Sequence, residues 1–233
     1  MNRDALEDNL IQIAGVIDDA EARMLQECGV RYLGFPLRLA VHQPDLTDAA
    51  AARVIRGLAS QTHAVLITYL DKAAEIAALC RMLAVRIVQL HGHIERAELE
   101  TLRSRHPALT VVKSLAIGLH DSETVEAIVD ELAAVVDAYI LDTFDPRTGA
   151  SGATGRTHDW RISRRLVERS RRPIILAGGL TPENVRQAIL EVQPAGVDAH
   201  TGVEDPGGRK SRAKVERFVA EARAAFQLRG SRT

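Results

Sequence analysis

PIILAGGLTPENVRQAILEV, residues 173–192, contains one complete strand–turn–helix unit. Residues 173–178 are almost all apolar, which is typical of a strand buried on both faces in a parallel sheet. After two glycines, Thr181 and Pro182 supply a helix-capping residue and a first-turn proline, and an apolar stripe at helical spacing continues to residue 192. The stretch therefore predicts a buried strand over 173–178 and a helix over 181–192.

The same pattern occurs throughout the chain of 233 residues, at intervals of mostly ~20–35 residues. The other predicted strands are 10–16, 30–35, 64–70, 85–91, 109–115, 138–142 and 195–200, and further amphipathic helices are predicted over 49–60, 72–83, 95–106 and 122–136. Eight such units match a (β/α)8 TIM barrel, whose typical length is ~250 residues. A doubly wound sheet, which needs no closing eighth strand, is the alternative. We expect one barrel domain over 1–233, with residues 229–233 as a disordered tail.

Composition limits the possible partners and cofactors. A net charge of −1 and a pI near 6.7 argue against a nucleic-acid or membrane surface as the main partner. Cys28 and Cys80 have no metal-binding spacing, and the amino terminus has no secretion-signal pattern, so we expect a cytoplasmic protein without metal or cofactor. No run is long enough to span a membrane. The sequence leaves monomer and homodimer open.

Glycines follow the last two predicted strands. Because the carboxyl ends of barrel strands surround the active site, Gly178, Gly179, Thr201 and Gly202 are expected at the usual phosphate position of such barrels. Glycine lets backbone N–H groups approach an anion closely. Gly155, in the long loop after the sixth strand, adds a further candidate donor. The alternative is that these glycines only turn the chain.

Two candidate catalytic residues end predicted strands. Asp142 follows an apolar run, so partial burial should raise its pKa and suit it to act as a general acid; alternatively it caps the next loop. His91 ends the fourth strand and is a weaker catalytic candidate, with a structural hydrogen bond as the alternative. Arg38, Lys113 and His200 are candidate substrate-binding residues by their positions at or near strand ends.

Four segments, in order, resemble the phosphoribosylanthranilate isomerase family, the barrel enzymes of tryptophan biosynthesis. They are VQLHG (88–92), LDT (141–143) with GATGRTHDW (152–160), LAGGLTPENV (176–185) and GVDAHTGVEDPGGRKS (196–211). The resemblance covers nearly the whole chain. It implies an Amadori-type aldose–ketose isomerisation of a small phosphorylated sugar, in which an acid opens the ring and a base removes the C2 proton. The acid would be Asp142.

The first strand departs from the family. Gln12 stands where the family has lysine, and Ala14 stands where it has the cysteine base. The Ser-Pro-Arg that helps to hold the substrate carboxylate is replaced around residues 40–45, and the substitute base is left open among His91, His42 and Asp18. These departures favour two alternatives beside the isomerase: other phosphosugar chemistry, such as a lyase or epimerase, or non-catalytic binding of a phosphometabolite.

Overall fold

Eight parallel strands close into a barrel in the computed structural model, which describes residues 6–39, 46–145, 150–151 and 157–230. The strands are β1 (Leu10–Ala14), β2 (Tyr32–Pro36), β3 (His63–Thr68), β4 (Ile87–Leu90), β5 (Thr110–Ile117), β6 (Ala138–Asp145), β7 (Ile174–Leu176) and β8 (Gly196–Ala199). Gln12 of β1 pairs with Tyr32 on one side and with Asp198 on the other, which closes the ring. The predicted TIM barrel is confirmed, and an open doubly wound sheet is excluded.

Helices surround the barrel. They are α1 (Asp19–Glu27), α2 (Asp48–Arg56), α3 (Ala73–Leu83), α4 (Arg96–Arg105), α5 (Ser122–Leu132), α6 (Trp160–Arg169), α7 (Val185–Val192) and α8 (Arg212–Gly230), with a 3-10 turn over Thr201–Val203. Their apolar stripes and the outward faces of the strands form the larger part of the core. None of the helices in the described ranges is long and apolar enough to cross a membrane.

The barrel interior changes from apolar to polar toward the carboxyl ends of the strands. Its apolar part is formed by Leu10, Ala14, Tyr32, Val65, Ile67, Ile87, Val112, Ala138, Ile140, Ile175 and Ala177. Its buried polar residues include Gln12, Gln89, Ser114, Asp142 and Asp198. Since buried polar groups cost free energy unless they are hydrogen-bonded, their concentration at one end marks that end as the place to look for a site.

A buried carboxylate of α1 joins the loops that precede α1 and α8. Glu21, 3% exposed, accepts hydrogen bonds from the backbone N–H groups of Ile17 (3.1 Å) and Lys210 (2.8 Å). Asp18 caps α1 by accepting from the N–H of Glu21 and binds Arg209 at 2.7 Å. These contacts hold the loop after β8 against the loop after β1.

The structure moves several predicted boundaries. The strand predicted over 10–16 ends at Ala14 because Gly15 adopts a left-handed conformation, with φ of 80°. The helix predicted over 181–192 starts at Val185, since Thr181 N–H donates to Asn184 Oδ1 (2.8 Å) and forms a turn before the helix.

The predicted tail over 229–233 must also be corrected. α8 continues through Arg229 and Gly230. Arg229 donates to Asn9 Oδ1 at 2.8 Å and to the carbonyl of Pro194, which holds the end of the helix against the amino-terminal side of the barrel. Residues 231–233 lie outside the described residues.

Candidate active site

Strand ends β6, β7 and β8 meet around a small cavity at the carboxyl end of the barrel. Its lining consists of Asp142, Gly178, Gly179, Leu180, Asp198, Ala199, His200, Thr201 and Gly202. Four predicted phosphate-binding residues and the predicted acid are therefore brought together here. The volume is about 20 Å3, so a ligand larger than water would lie at the opening of the cavity rather than inside it.

Gly178 and Gly202 are required by close packing between loops. A Cβ at Gly178 would lie 2.2 Å from Thr143 Oγ1, and φ there is 85°, which side chains rarely adopt. A Cβ at Gly202 would lie 1.9 Å from the carbonyl oxygen of Leu180. The backbones after β7 and β8 thus approach each other more closely than any other residue would allow.

The space beside Gly178 contains a hydrogen-bonded histidine. His158 Nδ1 lies 2.9 Å from Thr143 Oγ1, and its Nε2 lies 2.6 Å from Ser163 Oγ. Burial lowers the pKa of His158 to about 4, so the imidazole is neutral and can donate with one nitrogen and accept with the other. This bridge fastens the return of the loop after β6 to the end of β6.

Asp142 is buried, and burial raises its pKa above the ordinary value of 3.8. The nearby His91 and a hydrogen bond from Thr143 N–H to Asp142 Oδ1 (2.8 Å) oppose the rise. A carboxyl held in this way can keep its proton at a higher pH than usual and donate it.

Asp198 is a second buried carboxyl in the same cavity. It is 7% exposed, and Asp198 Oδ1 has no hydrogen-bond partner among the described residues. Burial raises its pKa to about 7, with a further rise from the charge of Asp142 and opposing effects from Gln12 and Lys210. Two carboxyls that each disfavour ionisation of the other are a recurrent source of proton donors and acceptors at enzyme sites.

We expect Asp198→Asn to change the pH dependence of stability. The pKa of Asp198 is higher in the folded chain than in the unfolded one, so the wild type loses stability as pH rises from about 4 through 7. The variant has no such loss. Its Tm relative to wild type should therefore rise by roughly 5 °C between pH 5 and pH 8.

The comparison between the two pH values cancels any constant cost of burying an amide at this position. Asp205→Asn, the same chemical change in a more exposed loop beyond β8, is the control. If the difference in Tm between Asp198→Asn and wild type were the same at pH 5 and pH 8, the raised pKa assigned to Asp198 would be contradicted.

A larger cavity of about 570 Å3 opens beside Asp142, between the ends of β3 to β6 and helices α4 and α5. His91 lines it, with Nδ1 3.1 Å from Ser114 Oγ, and Tyr69 packs at a ring-centroid distance of 5.1 Å from His91. Asp142 is the residue that the linings of the two cavities share. A ligand that contacts the glycine loops could thus extend past this carboxyl into the larger cavity.

Lys113 also lines the larger cavity but is 8% exposed and bound to backbone carbonyls. Its Nζ donates to the carbonyl oxygens of Ser114 (2.7 Å), Gly92 (3.0 Å) and Leu90 (3.3 Å). Burial lowers the pKa of this amine to about 8. These contacts join the ends of β4 and β5, and a role in holding an anionic substrate stays a prediction.

Lys113→Met should lower the free energy of unfolding by about 3 kcal/mol, because three carbonyl oxygens lose their donor. Lys72→Met is the control, since Lys72 is exposed and its ion pair with Glu98 is a long surface contact of 3.7 Å. Chemical denaturation measures both. Unchanged stability with a raised KM would show instead that the Lys113 amine serves the substrate.

The remaining predicted site residues lie in different surroundings. His200 borders the small cavity, with Nε2 3.4 Å from Glu204 Oε1. Arg38 lies on the surface, where its guanidinium binds Asp48 through two nitrogens, at 3.1 and 2.5 Å. Gly155 and His42 lie outside the described residues.

Known proteins match this barrel along most of its length. The family model for N-(5'-phosphoribosyl)anthranilate (PRA) isomerase matches residues 12–221. The chain belongs to this family. An isomerase 2 of that name from Methanosarcina mazei is 38% identical over 221 residues, covering 93% of this chain and 95% of the relative. The expected isomerase identity, of the intramolecular oxidoreductase type, is thereby confirmed, as is the link to tryptophan biosynthesis.

Solved phosphoribosylanthranilate isomerases share the fold. The enzyme from Thermotoga maritima superposes with a TM-score of 0.79 at 25% identity, covering 93% of this chain and 99% of that one. A second structure, in complex with reduced 1-(o-carboxyphenylamino)-1-deoxyribulose 5-phosphate, has a TM-score of 0.77 at 23% identity with the same coverage.

Sequence reasoning missed Asp198 as a site residue. An acid inside the otherwise apolar run AGVDAH is the available signal, because alternate residues of a barrel strand point inward. It also treated Gln12 only as a departure from the family, whereas Gln12 pairs in register with Asp198 and is 3% exposed.

Proposed function

We propose that this isomerase converts N-(5'-phosphoribosyl)anthranilate into 1-(o-carboxyphenylamino)-1-deoxyribulose 5-phosphate by an Amadori rearrangement, with Asp142 as the general acid. The observation that carries the proposal is the meeting of a buried, proton-retaining carboxyl with the glycine-bearing ends of β7 and β8 in one cavity. A phosphorylated sugar needs both: amide donors for its phosphate and an acid for its ring oxygen.

The substrate phosphate would lie at the opening of the small cavity, over Gly178, Gly179 and Gly202. Left-handed φ values of 85° and 63° at Gly178 and Gly179 are a conformation in which glycine leaves backbone N–H groups accessible to an anion. The sugar then lies beside Asp142, and the aromatic acid extends into the 570 Å3 cavity. Leu115, Leu119 and Ile128 line that cavity and suit an aromatic ring.

Chemistry begins at the ring oxygen. Asp142 gives it a proton, the bond from C1 to the ring oxygen breaks, and the nitrogen lone pair forms an iminium. Loss of the C2 proton gives an enolamine, which tautomerises to the ketose. Burial of Asp142 supports the first step because the raised pKa keeps this carboxyl protonated to a higher pH than an ordinary aspartate.

Two measurements test this proposal. Purified protein should convert N-(5'-phosphoribosyl)anthranilate, followed by chromatography of the product, and the gene should restore growth of a tryptophan auxotroph that lacks this isomerase. The reduced product analogue and inorganic phosphate should both raise Tm. Absence of turnover, together with failure to restore growth, would refute the proposed function.

Ala14 supports a second candidate, because alanine cannot accept a proton at the end of β1. The chain would then perform other phosphosugar chemistry or bind a phosphometabolite without turnover. Ala14→Cys separates these cases. Growth only with the variant would show that the missing thiol prevents isomerisation. Failure of both proteins, with Tm still raised by a phosphosugar, would favour the second candidate.

A further inference from the structure

Asp198 is the buried ionisable group in the small cavity that the proposed chemistry leaves without a role. Its carboxyl lines the cavity together with Asp142, and Oδ1 is unpartnered among the described residues. A buried carboxylate oxygen without a donor is costly, and such exceptions call for a functional or structural reason. The cavity offers a reason, since a ligand atom placed there would meet this oxygen.

Strand pairing sets Asp198 and Asp142 at the same level of the barrel. Leu141 of β6 pairs with Leu176 of β7, which pairs with Val197 of β8. One residue further along each strand come Asp142, Ala177 and Asp198. The methyl group of Ala177 is the side chain between the two carboxyls, so a sugar beside one of them is within reach of the other.

Neutral amides and a hydroxyl form the polar neighbours of Asp198 toward β4 and β5. Gln12, which holds Asp198 by a side-chain hydrogen bond, donates from Nε2 to Gln89 Oε1 at 3.0 Å. Gln89 Nε2 donates to Ser114 Oγ at 3.2 Å, and Ser114 Oγ lies 3.1 Å from His91 Nδ1. This chain orients Asp198 without placing a positive charge on it.

The nearest cation on the other side is already engaged. Lys210 Nζ, buried in the loop after β8, binds Glu204 Oε1 at 2.5 Å. It influences Asp198 through space only. Lys210 therefore forms no direct ion pair with the carboxylate of Asp198. Such a pair would stabilise the ionised form and make this carboxylate a poorer proton acceptor.

We propose that Asp198 is the base that removes the C2 proton, in place of a group at the end of β1. The assignment rests on the proposed isomerase function. Asp142 gives its proton to the ring oxygen, and the carboxylate of Asp198 takes the proton from C2 as the electron pair moves to form the enolamine. The proton on Asp198 then returns to C1, and the enol O–H proton goes to Asp142, so both carboxyls recover their starting states.

Other proton acceptors at the site are less suitably placed. His91 lies in the larger cavity and holds Ser114 with Nδ1. His200 Nε2 packs against the backbone of Gly15, so closely that a Cβ added to Gly15 would lie 2.1 Å from it. The same nitrogen lies 3.4 Å from Glu204 Oε1. Asp18, considered from the sequence, caps α1 and binds Arg209. Asp198 alone of these shares both the cavity and the strand level of Asp142.

Asp198→Asn tests the assignment. We expect kcat to fall by about 10³-fold, as for loss of a general base, while the reduced product analogue binds within about threefold of the wild-type Kd. Adding Ala14→Cys to this variant should raise kcat at least tenfold above that of Asp198→Asn alone, since a thiol at the neighbouring strand end supplies another base. With C2-deuterated substrate, Asp198→Asn should show a larger isotope effect than wild type.

Asp205→Asn is the matched control, because it makes the same chemical change at an exposed aspartate in the loop after β8, and kcat should stay close to that of the wild type. If Asp198→Asn had the same kcat as the wild type, the assignment of Asp198 as the base would be overturned and the proposed function would stand. Slow turnover with neither rescue by the thiol nor a larger isotope effect would likewise overturn it. An inactive wild type would refute the proposed function and this assignment together.

Discussion

Asp142→Asn is expected to lower kcat by ~10²–10⁴-fold while the affinity for inorganic phosphate and for the reduced product analogue stays close to that of the wild type. Asn keeps the size of the side chain and the oxygen that accepts the N–H of Thr143. It cannot supply a proton to the ring oxygen. Steady-state kinetics and thermal shift with each ligand measure the two effects separately.

The pH profile gives the same prediction an independent check. The acid acts only when protonated, so wild-type kcat/KM should fall as pH rises through the raised pKa of Asp142. Asp205→Asn, the loop control already introduced, should leave both rate and profile unchanged. Equal activity of Asp142→Asn and wild type would remove the acid assignment.

Gly202→Ala is expected to have the second large effect, a loss of phosphate affinity of about 100-fold together with a lower Tm. Its new Cβ would lie 1.9 Å from the carbonyl oxygen of Leu180, which is backbone and cannot rotate away. The loops after β7 and β8 must therefore separate, and such overpacking costs about 1–3 kcal/mol or more. The backbone N–H groups of the two loops would then no longer point at the same phosphate.

Gly207→Ala is the matched control because it lies in the same loop. A Cβ there meets only the side-chain oxygen of Asp205, at 3.2 Å, which can turn away. Isothermal titration with inorganic phosphate should show a large loss for Gly202→Ala and almost none for Gly207→Ala. Unchanged phosphate affinity in the Gly202 variant would place the phosphate elsewhere.

The barrel is predictable because its signal is local and repeated. Continuous apolar runs separated by amphipathic helices recur eight times, and strands buried on both faces require such runs whatever their neighbours are. Positions at the ends of these runs follow directly, so the sequence predicts that Asp142, Gly178 and Gly202 lie near one another. The predicted end of the first strand was wrong because Gly15 adopts a left-handed backbone conformation, which ends the strand at Ala14.

Side-chain partners were much less predictable. Lys113 ends a strand and resembles an anion-binding residue in the sequence, yet its amine donates to three carbonyls. Arg38 lies near a strand end but pairs with Asp48 at the surface. Two of the carbonyls that Lys113 binds, those of Leu90 and Gly92, belong to another strand end, and Asp48 lies in α2, so no local pattern identifies these partners.

Strand and helix periods are properties of short segments, so repeated βα units with an acid and paired glycines at one end could be predicted from local patterns alone. The position of Asp198 level with Asp142 across Ala177, and its pairing with Gln12, could be seen only in the folded barrel. Register and barrel closure bring residues from β1, β6 and β8 together. That juxtaposition depends on pairing between strands far apart in the chain, which strand periodicity does not encode.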